Sequence, residues 1–345
     1  MGYVIRKMKA AILTEINQPL IVDEVGLTDL QIGQVLIKVL MSGLCGAQLQ
    51  EIRGEKGNAK FLPHLIGHEG CGIVQALGPG VTRVKIGDKV ILHWRKGQGI
   101  EAPFPTYTYN GKSMSSGKVT TLSEYTIASE NRLTPVPAET PDELCALLGC
   151  GLSTALGTIN NDAKIKFGES VLIIGCGGVG INLIQGAKLA SAGDIYAVDI
   201  TEEKRDIVTQ FGATYYNLTT QNEELEEIKN IDCIIDTTGI MSLVSTVLPN
   251  LSNRGRVIIV SQPKQDSSIT FTKPGNFFLG EGQSISSTQG GKVDPSVDFA
   301  KYIKLYQKGY LKIDKLVTHT LSLEEINTAI ELVKNGKAGR ILIKL

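Results

Sequence analysis

A strand, a glycine-rich turn and a helix follow one another near the middle of the chain and predict how this part folds. Residues 171–174 (VLII) are apolar and rich in β-branched side chains, as in strands buried within a parallel sheet. Glycines follow with the spacing G-x-G-x-x-G, and residues 179–189 form an apolar segment of helical length. A second strand-like run, 195–198, leads to Asp199, which lies 199 − 180 = 19 residues after Gly180. This order predicts a dinucleotide-binding βαβ unit.

Each residue type in this unit has a chemical reason to be there. Gly175 can make the tight turn, Gly177 lets the backbone approach a pyrophosphate at the helix N-terminus, and Gly180 lets helix and strand pack closely. Asp199 is predicted to accept hydrogen bonds from both ribose hydroxyls, which favours NAD because a carboxylate repels a 2′-phosphate. The basic pair KR at 204–205 moderates that preference. The predicted cofactor contacts from this stretch are Gly175, Gly177, Gly178, Gly180, Asp199 and Lys204.

The composition limits the class of protein. The chain has 345 residues, enough for two domains, and 42% of them are hydrophobic. The 35 basic and 35 acidic residues give no net field that would attract nucleic acid or a membrane surface. No uninterrupted apolar run reaches the roughly 18 residues of a membrane span, and no signal peptide is evident, so we expect a cytoplasmic protein. Six cysteines in so long a chain do not indicate a disulfide scaffold.

The pattern of breakers and apolar runs divides the chain in two. The first 150 residues combine short strand-like runs with closely spaced Gly and Pro, which predicts a mostly β domain. Within it, residues 95–120 are interpreted as a long loop or excursion. Strands and helices then alternate up to about residue 288, which predicts a doubly wound parallel sheet. The closing strand, 340–344, is expected to return to the first domain.

Three side chains outside the nucleotide unit are candidate metal ligands. Cys45, His68 and Cys150 would give two thiolates and an imidazole, and would leave a tetrahedral Zn²⁺ with the open fourth position of a catalytic site. Singly, each has an ordinary structural explanation, as a small buried thiol or a hydrogen-bonded core histidine. From the residues alone, both interpretations stay open.

Six segments resemble, in the same order, those of the zinc-dependent medium-chain alcohol dehydrogenases. The resemblance runs from about Met8 to the C-terminus and includes CG at 45, GHE at 67, GDKV at 87, SEY at 123, GCGLST at 149 and the glycine fingerprint at 175. It implies an α/β protein with a GroES-like, mostly β catalytic domain and a Rossmann domain, with the active site in the cleft between them. We place the GroES-like domain at 1–152 and 290–345, and the Rossmann NAD-binding domain at 153–289.

The resemblance also implies roles for single residues. By position, Cys45, His68 and Cys150 correspond to the zinc ligands, and Glu69 to the acid that can approach the metal during ligand exchange. The positions that correspond to contacts with the nicotinamide half and the pyrophosphate are Thr154, Val179 and Arg340. Zinc would polarise an alcohol, and NAD⁺ would accept its hydride.

The chain departs from the family pattern at three places. It has no cysteine between Cys71 and Cys145, so we expect one catalytic zinc per chain and no structural zinc. Ala47 stands where the family usually has a proton-relaying Ser or Thr. Gln48 stands where an Asp usually orients the histidine ligand, and a related relay position, often His, is Gln50.

The proton of the alcohol must therefore leave by another route. His93 and Glu69 are candidates, as are water and a hydroxyl of the substrate. His93 and Trp94 fall where the family lines its substrate pocket, and Gln48 is also expected to border that pocket. Packing of the His93 ring in the core is an equally open alternative. Tyr107 and Tyr109 could border a polar substrate.

The resulting expectation is an NAD-dependent zinc oxidoreductase acting on an alcohol or carbonyl, with a polyol or sugar-type alcohol favoured. The alternative is a protein that binds NAD but has lost catalysis and serves as a sensor or structural subunit, as Ala47 and Gln48 suggest. A zinc-free reductase is disfavoured by the retained ligand positions. By resemblance, a homo-oligomer is expected through strands near 284–288.

Overall fold

A computed structural model describes residues 6–264, 266–271, 274–336 and 338–345. The chain forms two compact units. Unit 1 comprises residues 1–150 and 294–345, and unit 2 comprises residues 151–293. The domain boundaries predicted from the sequence, 152/153 and 289/290, differ from these by two and four residues.

The described strands are, in chain order, β1 (Lys7–Leu13), β2 (Ile21–Leu27), β3 (Gln34–Leu44), β4 (His64–Leu65), β5 (Glu69–Leu77), β6 (Lys89–His93), β7 (Thr106–Tyr109), β8 (Lys112–Ser115), β9 (Tyr125–Ser129), β10 (Leu133–Val136), β11 (Val171–Ile174), β12 (Ile195–Asp199), β13 (Thr214–Asn217), β14 (Ile231–Asp236), β15 (Leu251–Ile259), β16 (Ser284–Ser287), β17 (Val317–Ser322) and β18 (Arg340–Lys344). The described α-helices are α1 (Gly46–Ile52), α2 (Asp142–Leu148), α3 (Gly151–Gly157), α4 (Gly178–Leu189), α5 (Arg205–Phe211), α6 (Asn222–Glu227), α7 (Met241–Val247), α8 (Pro274–Leu279), α9 (Pro295–Gln307) and α10 (Ile326–Lys334). A π-helical turn, Thr158–Ala163, extends α3.

Unit 1 is built on two sheets. Five short strands close on themselves in the order β1-β2-β7-β8-β4, and a larger sheet has the order β10-β6-β5-β3-β18-β17 with β9 also paired to β3. The last strand, β18, lies antiparallel to β3, with Leu342 opposite Gly43. The prediction that the closing strand returns to the first domain is therefore confirmed.

The segment predicted to be a long loop or excursion contains regular structure. Residues 95–120 are not a loop throughout, because β7 and β8 form an antiparallel hairpin there. The alternation T-Y-T-Y puts Tyr107 fully inside the small closed sheet, where its hydroxyl oxygen accepts a hydrogen bond from the Ile127 N–H at 2.9 Å. Tyr109 donates to Asp23 at 3.1 Å. Both tyrosines thus serve the packing of this sheet.

Unit 2 carries a six-stranded parallel sheet in the order β13-β12-β11-β14-β15-β16. Counted from β11, this is the order 3-2-1-4-5-6 of a doubly wound dinucleotide-binding fold. The strands 171–174 and 231–236 coincide with the predicted ones. The fold predicted for this half of the chain is confirmed.

No single helix among the described residues is long and apolar enough to cross a membrane. The consecutive segments Asp142–Leu148 and Gly151–Ala163 meet the length and composition criteria only together, with a sharp bend between them.

Candidate metal centre and cofactor turn

Three metal-ligating side chains converge within unit 1. The Cys45 and Cys150 sulfurs and one ring nitrogen of His68 all lie within 4.8 Å of one another, and all three residues are partly buried. The structure therefore brings together the three residues that the sequence analysis proposed as zinc ligands.

Local structure explains this convergence. Cys45 precedes α1 as its N-cap, and His68 comes just before β5. Cys150 follows α2, and Gly149 lets this helix approach the sheet. A Cβ at Gly149 would lie 2.4 Å from the Leu92 carbonyl oxygen and 2.8 Å from the Glu69 Cα. Any larger residue there would push Cys150 away from His68.

The three groups influence one another's protonation. The neighbouring Cys150 thiol and the His68 ring lower the pKa of Cys45 well below its usual value. The pKa of Cys150 is raised, because Cys45 and burial both disfavour a second thiolate. Burial is the largest single influence on His68 and lowers its pKa, but the hydrogen bond with Cys45 and the negative charges of Cys45, Glu69 and Glu51 together outweigh it and raise the pKa on balance. Of the two thiols, Cys45 is therefore the one that more readily becomes a thiolate, the form that binds a metal.

Glu69 and Arg340 form a buried ion pair beside this cluster. The Glu69 carboxylate accepts a hydrogen bond from the Arg340 guanidinium, and the two side chains are 0% and 5% exposed. Nearby Glu69, Cys45 and Cys150 raise the pKa of Arg340 against the effect of burial. Glu69 is thus engaged by Arg340 and is not one of the three converging donors. The predicted contact of Arg340 with the cofactor stays a prediction.

Gln48 links two of the candidate ligands. Its side-chain oxygen accepts from the Cys45 N–H at 2.9 Å, and its Nε2 lies 2.5 Å from His68 Nδ1. The residue is fully buried, so it is not placed to line an open substrate pocket as the sequence analysis proposed. The spacing of Cys45 and Gln48 is that of a capping box, a signal present in the sequence that could have predicted the first bond.

The donor set fits zinc. Zn²⁺ in proteins is held by thiolate sulfur and imidazole nitrogen, and a catalytic site uses three protein ligands with the fourth position open. Two cysteines and one histidine are such a set. Among the described residues, no other group of three His, Cys, Asp or Glu side chains converges in this way.

His93 and Trp94 lie at the end of β6. Both ring nitrogens of His93 have protein partners, the Arg95 carbonyl at 2.7 Å and the Thr134 hydroxyl at 3.0 Å, and the ring packs edge-on against Phe299. Burial lowers the pKa of His93 to about 4. These contacts favour the packing alternative over a proton relay. Trp94 is partly buried, and the Arg95 guanidinium lies 5.5 Å from the centre of its ring.

In unit 2, the glycines between β11 and α4 have the geometry that a dinucleotide requires. Gly175 has φ +92°, which favours glycine, and it makes the turn. A Cβ at Gly180 would lie 1.9 Å from the Gly175 carbonyl oxygen, so only glycine fits there. A Cβ at Gly177 would meet nothing within 4 Å, and this residue is the N-cap of α4. The N-terminus of α4 is therefore open to an anionic group.

Asp199 ends β12 beside this turn. Its carboxylate accepts from the backbone N–H groups of Cys176 at 2.7 Å and Ile200 at 2.8 Å. Burial lowers the pKa of Lys204 even though Asp199 acts in the opposite direction. Arg205 donates to Glu202 and, at 3.0 Å, to Gln221. Thr154 lies buried in α3 and Val179 lies in the first turn of α4.

Comparisons with known proteins agree with this geometry. Residues 31–138 match the family model of the alcohol dehydrogenase GroES-like domain, and residues 178–308 match that of the zinc-binding dehydrogenases. The S-(hydroxymethyl)glutathione dehydrogenase of Escherichia coli is 30% identical over 98% of this chain and 100% of the relative. Its counterpart in Synechocystis is 29% identical over 98% of this chain and 99% of the relative.

Solved structures show the same likeness. An alcohol dehydrogenase zinc-binding domain protein from Burkholderia ambifaria superposes with a TM-score of 0.90 and 26% identity, over 99% of each chain. The benzyl alcohol dehydrogenase of Acinetobacter calcoaceticus gives a TM-score of 0.89 and 26% identity, over 99% of this chain and 100% of the other. The chain thus belongs to the zinc-dependent medium-chain alcohol dehydrogenase superfamily, and it is a zinc alcohol dehydrogenase-like oxidoreductase.

Proposed function

We propose that this protein transfers a hydride between NAD(H) and a small alcohol or carbonyl substrate at one zinc ion per chain. The observation that carries the proposal is the convergence of Cys45, His68 and Cys150. Zinc bound there supplies a Lewis acid for the substrate oxygen. The chain's own contribution is to hold the three donors and to keep the Glu69 carboxylate paired with Arg340.

NAD is preferred over NADP in this proposal because of the surroundings of Asp199. A 2′-phosphate would meet the Asp199 carboxylate, and of the two nearby cations one is engaged in an ion pair and the other is buried. Arg205 is paired with Glu202, and Lys204 is buried. The predicted roles of Gly178, Val179 and Thr154 as cofactor contacts remain part of the proposal.

The polyol or sugar-type substrate remains a proposal with reduced support. It rested on polar side chains near the expected pocket, and Gln48, His93 and Tyr107 instead have their polar atoms bonded within unit 1. Two other classes therefore belong in any test, an aromatic alcohol and a thiol-derived hydroxymethyl adduct, since proteins named for such substrates are similar to this chain.

Initial rates with zinc-loaded protein test the proposed function. We expect turnover of at least one of sorbitol, benzyl alcohol and S-(hydroxymethyl)glutathione, with kcat/KM for NAD⁺ at least about tenfold above that for NADP⁺, an apparent difference of about 1.4 kcal/mol. Elemental analysis should give one zinc per chain. Bound NAD without turnover of any alcohol would contradict the proposal and favour the sensor alternative.

We also propose that the protein is a homo-oligomer that pairs through β16. This strand is the last of the sheet order and is mostly exposed, and an unpaired strand edge is a template for another strand. Nearby Phe278 and Leu279 are 85% and 71% exposed. Light scattering should give at least twice the chain mass of 37.1 kDa, and the double variant Phe278→Lys/Leu279→Lys should lower it. A monomeric wild type would contradict this proposal.

A further inference from the structure

The Gln48 amide lies between two groups of the metal centre and is 0% exposed. Its oxygen is held by the Cys45 N–H at 2.9 Å, which leaves its nitrogen 2.5 Å from His68 Nδ1. An amide nitrogen can only donate a hydrogen bond, so Nδ1 accepts here and carries no proton. Cys45 thereby sets both the direction of the amide and the tautomer of the histidine.

This arrangement conflicts with metal binding by His68. Because Nδ1 faces Gln48, the other ring nitrogen, Nε2, is left for the two thiols. A neutral imidazole that binds a metal through Nε2 carries its proton on Nδ1 and ordinarily donates it to a carboxylate or a carbonyl. In the orientation described above, the NH₂ group of Gln48 would then face the Nδ1–H group of His68, and two donors would meet.

Turning the amide does not remove the conflict. With its oxygen towards His68 Nδ1–H, the Gln48 NH₂ group would face the Cys45 N–H, and again two donors would meet. The Gln48 side chain has one acceptor oxygen, whereas with zinc bound two donors, the Cys45 N–H and His68 Nδ1–H, each require an acceptor. One buried donor therefore stays unpaired, which is unfavourable.

We infer that Gln48 is a positioning residue that weakens the metal centre, because its single acceptor oxygen must serve both the Cys45 N–H and His68 Nδ1–H. The inference rests on the proposed function, since it concerns the same zinc site. It specifies that zinc is held less tightly here than by the same three ligands with two acceptor oxygens at position 48.

Two variants of nearly the same side-chain length test this. Gln48→Glu offers an oxygen to each donor, so we expect its zinc dissociation constant to fall about 10- to 100-fold, the usual effect of a partner of a metal ligand. Gln48→Met offers no acceptor. Compared with the wild type, it leaves one more donor unpaired in the metal-free protein and one more in the zinc-bound protein, so the two effects cancel. Its zinc affinity should therefore stay close to that of the wild type. Competition with a chromogenic chelator measures all three constants.

A third variant separates hydrogen bonding from charge. Gln50→Glu adds the same charge on the same helix, α1, without placing an oxygen between Cys45 and His68. Equal tightening in Gln48→Glu and Gln50→Glu would assign the gain to charge and overturn the inference. A loss of tenfold or more in Gln48→Met would also overturn it, because the amide would then support the metal. Thermal unfolding of each variant confirms that it is folded.

The tautomer gives a readout independent of affinity. In protein labelled with ¹⁵N-histidine, His68 Nδ1 should lack a proton without zinc and carry one with zinc, the signal being assigned by its loss in His68→Asn. In Gln48→Glu, Nδ1 should carry the proton in both states. The spectra are recorded at a pH at which the ring is neutral, and a wild-type Nδ1 that carries the proton there before zinc is added would overturn the inference.

These experiments distinguish the role of Gln48 from the proposed zinc-dependent function. Zinc binding by the wild type with no gain in Gln48→Glu overturns only the role of Gln48. A wild type that takes up no zinc contradicts the proposed function, together with the inference that rests on it.

Discussion

Cys150→Ser is expected to abolish tight zinc binding and to lower kcat/KM about a thousandfold or more. Zinc in proteins is bound by thiolates, and a serine hydroxyl does not replace one. Lewis-acid stabilisation of a transition state is worth several kcal/mol, and each 1.36 kcal/mol, approximately, is tenfold in rate. Metal content by elemental analysis and initial rates with NAD⁺ measure the two effects.

Cys145→Ser is the matched control for this experiment. Cys145 lies in α2, five residues before Cys150, and is a buried thiol outside the cluster. Its replacement should cost some stability but leave one zinc per chain. If Cys150→Ser retained zinc and activity, the cluster of Cys45, His68 and Cys150 would not be the catalytic centre.

Arg340→Met is expected to destabilise unit 1 strongly. It removes one partner of a buried ion pair and leaves the Glu69 carboxylate, which is 0% exposed, beside two thiol groups. Removal of one partner of such a pair typically lowers the free energy of unfolding by about 3–5 kcal/mol. Denaturant unfolding of the metal-free protein, followed by circular dichroism, measures the change.

The double variant Arg340→Met/Glu69→Gln separates charge from packing. Because it leaves no uncompensated carboxylate, it should recover part of the lost stability. Arg254→Met, which breaks an exposed pair with Glu281, should change stability little. Equal losses in Arg340→Met and in the double variant would mean that packing of the arginine, and not its charge, stabilises this region.

Much of the fold could be predicted from the sequence because its patterns are local. The apolar run 171–174, the glycine spacing after it and Asp199 define one βαβ unit. All three lie within about thirty consecutive residues, so they can be recognised without knowledge of the tertiary structure. The three candidate ligands could be proposed as well, since Cys45, His68 and Cys150 lie within recognisable motifs. Their convergence, however, depends on packing, such as the close approach that Gly149 allows between α2 and the sheet.

The parts that were missed depend on contacts between distant residues. The pairing of Glu69 with Arg340 joins positions 271 residues apart, and no local pattern indicates it. The burial of His93 depends on Phe299, which comes from a helix late in the chain. The β7–β8 hairpin was missed for another reason, because its strands are four residues long and lie among polar residues.

Unit 1 is formed by two segments that are far apart in the sequence, so its two parts are synthesised at different times. Unit 2, residues 151–293, is synthesised without interruption, whereas the pairing of β3 with β18 joins segments that are made before and after it. Domains generally fold as units during synthesis. All three candidate metal ligands are therefore synthesised before Arg340, which is the first residue of β18. Glu69 is synthesised 271 residues before Arg340, so its carboxylate can be buried together with its partner only after all of unit 2 has been made.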